Sequence, residues 1–287
     1  MDTFLAAVDA IMRRDPGGRG LLSRIRRNPV AALAEELPKI RSLILLTGFP
    51  VRLPGGGMVC ETDGPPGIID LVSAFTTLDI PCLVLSDPEA DAILRAGLSA
   101  RGLSCGVSML AGSDTAAGLA ALLDTVKPSH VLTLERPGKA ADGHFHNMRG
   151  ALIDDMITDS SAFIPLAKER GIRVISVGDG GNESGMGVYR DLITESVPFG
   201  STICADDEAD IALVSGVSNW WGDGICAILS RLCGRDLLPS EDEFLDTLAA
   251  ILAAGAVDGV TKEARMTVDG LPSETHLDII RKLRELL

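Results

Sequence analysis

The feature that most constrains this chain is a series of short, nearly continuous apolar runs, each ending in a polar or glycine-rich loop and followed by residues at helical spacing. The runs fall at 42–48, 82–85, 104–110, 130–134, 172–177, 201–205 and 211–214. Apolar residues without alternation suit strands covered on both faces, as in a parallel sheet. Between the runs, 89–96, 115–126 and 225–232 have helical periodicity, and a last helix after Ser273 puts Leu277, Ile280, Leu283 and Leu287 on one stripe. Strand, loop and helix in repetition predict an α/β fold, an open, mostly parallel sheet with helices on both faces. Upstream, Phe4, Leu5, Val8, Ile11 and Met12 predict a helix over 3–14, stopped near Asp15-Pro16-Gly17-Gly18, with a second over 30–37. The expected organisation is an N-terminal helical segment, 1–40, and an α/β domain, 41–287, forming one structural unit.

Composition narrows the function classes. Hydrophobic residues make up 46% of the chain but aromatics only 3%, so Leu, Ile, Val and Ala must build the core. A net charge of −14 would repel nucleic acid and anionic lipid, so neither partner is expected. Residues 1–29 run against the trend, with six arginines and three aspartates, which leaves −17 for the rest. Those arginines are expected to face solvent or to contact the acidic body. Six cysteines without a CxxC pair suggest neither a zinc site nor a disulfide framework. With no signal-peptide pattern, and an apolar run at 248–257 too short to span a bilayer, a cytoplasmic location is expected.

Ligands of open α/β sheets collect at the carboxyl ends of the strands. The run at 172–177 delivers Gly178-Asp179-Gly180-Gly181-Asn182-Glu183, in which glycines open the backbone and Asp179, Asn182 and Glu183 carry functional groups. Gly-Asp-Gly alone would be an ordinary turn; the added Asn and Glu mark a site. The run at 130–134 leads into Glu135-Arg136-Pro137-Gly138-Lys139-Ala140-Ala141-Asp142-Gly143-His144-Phe145-His146-Asn147-Met148-Arg149-Gly150, the window richest in polar functional groups. Arg136 and Arg149 have the fork geometry that grips a carboxylate. His144 and His146 share a face in an extended segment, which suits metal ligation or burial of one ring. At 61–67, Glu61-Thr62-Asp63-Gly64-Pro65-Pro66-Gly67 starts a helix, with Thr62 or Asp63 as cap and as a candidate anion or metal site. His130 is expected to be structural, the pair Trp220-Trp221 to pack beneath its loop, and His276 to lie near the site or in solvent.

Together, ETDGPPG at 61–67, ERPGKAADGHFHNMRG at 135–150 and VGDGGNESGMG at 177–187 resemble the D-glutamate cyclase family, specifically the domain shared by bacterial stand-alone proteins and the C-terminal part of vertebrate mitochondrial D-glutamate cyclases. VSNWWGDG at 217–224, DGVT at 258–261 and VDGLP at 268–272 extend the similarity over nearly the whole chain. The resemblance implies a lyase that closes D-glutamate to 5-oxo-D-proline with loss of water. The substrate's amine is the nucleophile, so the mechanism requires no cofactor.

On that reading Glu183 is the general base and Asp179 the acid, and the N–H groups of Gly180 and Gly181 stabilise the oxyanion. Arg149, with Arg136 behind it, holds the α-carboxylate. Asn147 reads the amine or carboxylate, His146 and Asn182 complete the wall, and Thr62 and Asp63 close the other side. A divalent cation between Asp63, Asp179 and Glu183 is the alternative to the acid. The expected partner is a small acidic amino acid, and a homo-oligomer is neither required nor excluded. Two other readings stand beside it. Gly178–Glu183 is similar to the metal loop of haloacid-dehalogenase-type phosphatases, although Glu61 stands where their nucleophilic Asp is needed. A non-catalytic binding protein for a small acidic metabolite would use the same arginines without turnover.

Overall fold

The computed structural model describes residues 1–111 and 115–287. Its main sheet has six strands, β1 (Leu43–Thr47), β2 (Cys82–Ser86), β3 (Gly106–Met109), β4 (His130–Leu134), β5 (Arg173–Gly178) and β6 (Ile211–Val214), in the order β3-β2-β1-β4-β5-β6. All five pairings are parallel, so the predicted fold class is borne out. The chain steps outward from β1 to β3, returns to lay β4 on the other side of β1, and continues to β6. The order therefore reverses between β1 and β4, and a crevice opens at their carboxyl ends.

The longer helices are α1 (Asp2–Met12), α2 (Val30–Glu36), α3 (Pro65–Thr77), α4 (Asp91–Ala100), α5 (Thr115–Val126), α6 (Phe163–Glu169), α7 (Arg190–Ser196), α8 (Asn219–Cys233), α9 (Glu241–Ala253) and α10 (Ser273–Arg284). Side chains alternate across each strand, and the two faces build two cores. Leu43 and Leu45 join Leu132, Ile175 and Leu213 under α1 to α4 and α8 to α10. Ile44 and Leu46 join Val131, Val174 and Val214 under α5 to α7. The N-terminal helix belongs to the first core, with Val8 and Met12 fully buried.

Helices α3 and α8 pack alongside each other from their amino ends, and each supplies what the other lacks. A helix amino terminus leaves its first N–H groups without carbonyl partners. Asn219 Oδ1 accepts Gly64 N and Gly67 N at 2.9 Å each, while Asp63 accepts Ser218 N at 3.1 Å and Asn219 N at 2.8 Å. The predicted cap is therefore corrected: Gly64, at φ +106°, stands at the cap position of α3, and Asp63 serves α8 instead. The backbones touch at two glycines, since a Cβ on Gly222 would lie 2.6 Å from Gly67 Cα and from its carbonyl oxygen.

Three further expectations change. The predicted strand at 201–205 is a single helical turn, Gly200–Ile203, because a five-residue segment is too short for period to separate strand from turn. The loop expected behind the first apolar run opens a hairpin, Pro50–Arg52 with Met58–Cys60. Helix α8 begins at Asn219 rather than 225 because Asp63 and the glycine contact anchor its first turns. The tryptophans do pack inside: Trp220 Nε1 donates to His276 Nδ1 at 3.0 Å and Trp221 Nε1 to Val214 O at 3.1 Å. His276 is neither solvated nor at the site but stacks on Phe244, and burial pushes its pKa down to about 4. His130 is structural, as expected, bonded to Ser129 and Glu36.

Gly222→Ala should destabilise the protein by at least about 1–3 kcal/mol, because backbone lies where the methyl must go. Gly118→Ala, in the exposed part of α5 where a Cβ meets nothing within 4 Å, should be neutral or gain up to about 1 kcal/mol. Thermal melts of both variants check the contrast; equal effects would contradict it.

Candidate functional site

Three loops at the carboxyl edge of the sheet bring Asp63, Glu135 and Asp179 together. Glu135 directly follows β4, Asp179 directly follows β5, and Asp63 precedes α3. All three are buried, and one carboxylate oxygen from each lies within 4.8 Å of the others. At an effective dielectric of about 20, two ionised carboxylates at that spacing repel by roughly 3–4 kcal/mol, so the three do not all ionise at neutral pH. Burial first, and then the neighbouring acids, hold the carboxyls of Glu135 and Asp179 well above the ordinary range, although Arg19 opposes this. Asp63 is pushed up to about 7 by burial and Asp269, against its bonds from the α8 amino end and the pull of Arg19. Coupled acids of this kind share protons, and their titrations belong to the group.

A cavity of about 450 Å³ opens beside the cluster, the size of a small-metabolite site. Glu135 reaches its wall, with Glu61 and Asp269; Arg19, Arg149 and Lys262 supply positive charge; Phe49, Val51, Ile153 and Met156 supply apolar surface. Six described non-glycine residues have positive φ, and three line this cavity: Glu135 (φ 49°), Lys262 (φ 60°) and Asp269 (φ 55°). The left-handed conformation is costly for such residues and concentrates at working sites.

Arg19 was not singled out by sequence reasoning, yet its guanidinium bonds Asp179 Oδ1 and Asp269 Oδ1. The expected contact between the basic N-terminal stretch and the acidic body is thus made inside the site. Asp179 Oδ2 is buried without a partner.

The glycine loop departs from its predicted role. Glu183 accepts Asp179 N at 3.1 Å, Gly180 N at 2.8 Å and Gly181 N at 2.7 Å, and its carboxylate holds the loop together. The Glu183 carboxylate expected to act as base is thus engaged with its own loop, and the Gly180 and Gly181 N–H groups expected to stabilise an oxyanion already have an acceptor. Where a cation shared by Asp63, Asp179 and Glu183 was the expected alternative, the carboxylates that converge are those of Asp63, Glu135 and Asp179.

Arg136, expected behind Arg149, lies away from the cavity. It is completely buried, donates to Ser160 Oγ at 2.9 Å and Thr158 O at 2.6 Å, and pairs with Asp87, so it braces neighbouring loops and does not reach the cavity. His146 is spent on Asp142 and Gly150 O, which makes it structural. Thr62 donates to Thr267 O at 3.0 Å, well inside the wall. Asn147 and Asn182 do line the cavity. Asn147 Oδ1 closes a turn by accepting Arg149 N and Ala151 N, and Asn182 Nδ2 donates to His146 O, so both shape the wall more than they present free groups. Arg149 lines the cavity and is exposed at its mouth.

Lys262 and Asp269, also missed, come from one late loop. Asp258, fully buried, accepts Val260 N and Thr261 N at 2.8 Å each and Gly270 N at 2.7 Å, tying the DGVT and VDGLP windows into one structure. The signal was present in those two Asp-Gly pairs, but their meeting depends on the fold.

A family model described as D-glutamate cyclase-like, C-terminal, matches residues 8–284. The chain is 28% identical over 312 aligned residues to human D-glutamate cyclase, mitochondrial, an alignment covering 96% of this chain and 50% of the human protein. It thus spans about half the length of that curated relative. Among solved structures, 3-deoxy-D-manno-octulosonate 8-phosphate phosphatase from Yersinia pestis overlaps 71% of this chain and 90% of its own at 15% identity and a TM-score of 0.37, too low to carry an argument. No helix among the described residues is long and apolar enough to cross a membrane. The motif resemblance and the family model agree, and the chain belongs to the D-glutamate cyclase-like C-terminal family.

Proposed function

We propose that the protein closes D-glutamate to 5-oxo-D-proline with loss of water. The observation that carries this reading is the buried Asp63–Glu135–Asp179 cluster beside a cavity with cationic groups at its mouth. Cyclisation needs an amine that has lost a proton and a carboxyl group made electrophilic, which is acid and base work on one small molecule. An N–C bond forms, a C–O bond breaks, and the departing oxygen leaves as water, taking up in two steps the two protons that the ammonium nitrogen gives up. Glu135, the cluster member facing the cavity, is the acid that protonates the departing oxygen; Asp63 and Asp179 behind it return the proton. Asp269, tied to Arg19 and facing the same cavity, takes the proton from the ammonium. Arg149 holds the α-carboxylate. Confining the substrate in a ring-closing conformer lowers the barrier further, by several of the ~7–11 kcal/mol that orientation can supply.

A divalent cation on the same three carboxylates is a second reading, favoured by their mutual spacing. It would polarise the distal carboxylate in place of the acid. Among the described residues no observation favours the phosphatase or the non-catalytic reading over these. Purified protein incubated with D- and L-glutamate, with and without Mg²⁺ or Mn²⁺, should yield 5-oxo-D-proline by chiral chromatography. No product under any of these conditions would refute the proposal.

Glu135→Gln should lower turnover by about 10²–10⁴, with the fold retained, since Gln keeps an oxygen for the Ser218 hydroxyl but has no proton to give. Glu183→Gln should behave differently. Its amide would turn an N–H donor toward backbone donors, so stability and activity should fall together, by at least about 1–3 kcal/mol in stability. Melting curves set beside turnover separate the two.

The cluster also predicts a pH effect. Its carboxyls bind protons more tightly in the folded than in the unfolded protein, so their contribution favours folding at low pH. It declines as pH rises from about 4, the unfolded carboxylate value, to about 7, the folded value of Asp63. Asp179→Asn should make the change in Tm across that interval more favourable to high pH than in the wild type; an unaltered slope would contradict the shared-proton cluster.

A further inference from the structure

The acids account for proton transfer but do not say how the cavity chooses its substrate. Arg19 is already paired with Asp179 and Asp269, and Arg52, also on the wall, with Asp155. Arg149 and Lys262 differ. Both line the cavity, and among the described residues neither head group has a hydrogen bond or ion pair. Two unpaired cations sharing one mouth is an unusual arrangement in a chain of net charge −14. They repel each other: burial lowers the Lys262 ammonium from the usual lysine range, Glu61 opposes the shift, and Arg149 adds to it. An anion between them would relieve that repulsion.

The backbone supports the same conclusion. Lys262 sits at φ 60°, its N–H donates to Asp258 O at 2.8 Å, and the Asp258 carboxylate fixes the two residues before it. Opposite, Asn147 fixes the turn that carries Arg149. Both cations therefore stand on loops whose own side chains set their shape, which is how a site is kept ready for a ligand.

We propose that Lys262, together with Arg149, forms the anion-binding end of the cavity, and that Lys262 determines selection for a substrate with a carboxylate at that end. The proposal rests on the cyclase reading only in identifying that group as the α-carboxylate of glutamate, which the ring closure leaves intact. An ammonium and a guanidinium on one carboxylate make charge-assisted hydrogen bonds, and removing one is expected to weaken binding roughly 10–100-fold.

The test is calorimetric titration with glutarate, a dicarboxylate that cannot cyclise, on the wild type, Lys262→Met, Lys262→Arg and Arg149→Gln, with thermal melts to confirm folding. Lys262→Met and Arg149→Gln should each weaken glutarate roughly 10–100-fold, and Lys262→Arg should restore most of the loss. Wild-type affinity should fall at alkaline pH below the usual lysine range as Lys262 discharges among Glu61, Asp258 and Arg149, and Lys262→Arg should remove that fall. Glutarate binding that depends on Lys262 without any 5-oxoproline production would keep this proposal and refute the cyclase reading. Production of 5-oxoproline with unchanged KM in Lys262→Met would do the reverse. Failure of the folded wild type to bind glutarate, or equal binding by Lys262→Met, would overturn the proposal.

Discussion

Burying several carboxylates within reach of one another is the constraint on which the rest of this structure depends. Desolvation alone makes an isolated buried carboxylate unfavourable, and like neighbours add several kcal/mol. The protein answers in two ways. Asp63 receives two backbone N–H groups from the start of α8, and Asp179 and Asp269 share the Arg19 guanidinium. Glu135 accepts the Ser218 hydroxyl, and burial together with the neighbouring acids still holds the carboxyls of Glu135 and Asp179 well above the ordinary range. The tension is concentrated where the sheet order reverses and where positive-φ residues line the wall.

The scaffold explains how such a cluster is held. Strands β4 and β5 fix Glu135 and Asp179 through the sheet register, in which Leu134 lies beside both Thr47 and Val177. Asp63 is fixed by exchange of hydrogen bonds between α3 and α8, and the Gly67–Gly222 contact lets those helices approach closely enough to make them. Glu183 belongs to this scaffold. By gathering three successive N–H groups it gives the glycine loop a single shape, and Asp179 inherits its position from that loop.

Much of this was legible in the amino-acid order. Uninterrupted apolar runs located all six strands of the sheet, and the polar loops behind them marked the correct edge. The loops at 61–67, 135–150 and 178–187 do meet. Individual roles were harder to read, for physical reasons. Glu183 and Arg136 carry the right groups, but composition does not reveal whether a side chain points at a ligand or at its own backbone. Arg19 reaches Asp179 across 160 residues and Asp269 across 250, and no local pattern records such an approach. Glu135 stood in the window identified as richest in function, but its left-handed backbone and burial appear only in three dimensions. Lys262 lay unremarked beside DGVT, because its exposure to the cavity depends on Asp258 linking two distant turns.

The account turns on protons held by the buried cluster at neutral pH. Carbon-13 NMR titration of Asp and Glu side-chain carboxyls, with resonances assigned through Glu135→Gln and Asp179→Asn, measures this directly. The account predicts that the Glu135 and Asp179 carbons titrate well above the ordinary carboxylate range and that each substitution shifts the other's titration downward. Independent titration of both near pH 4 would contradict it.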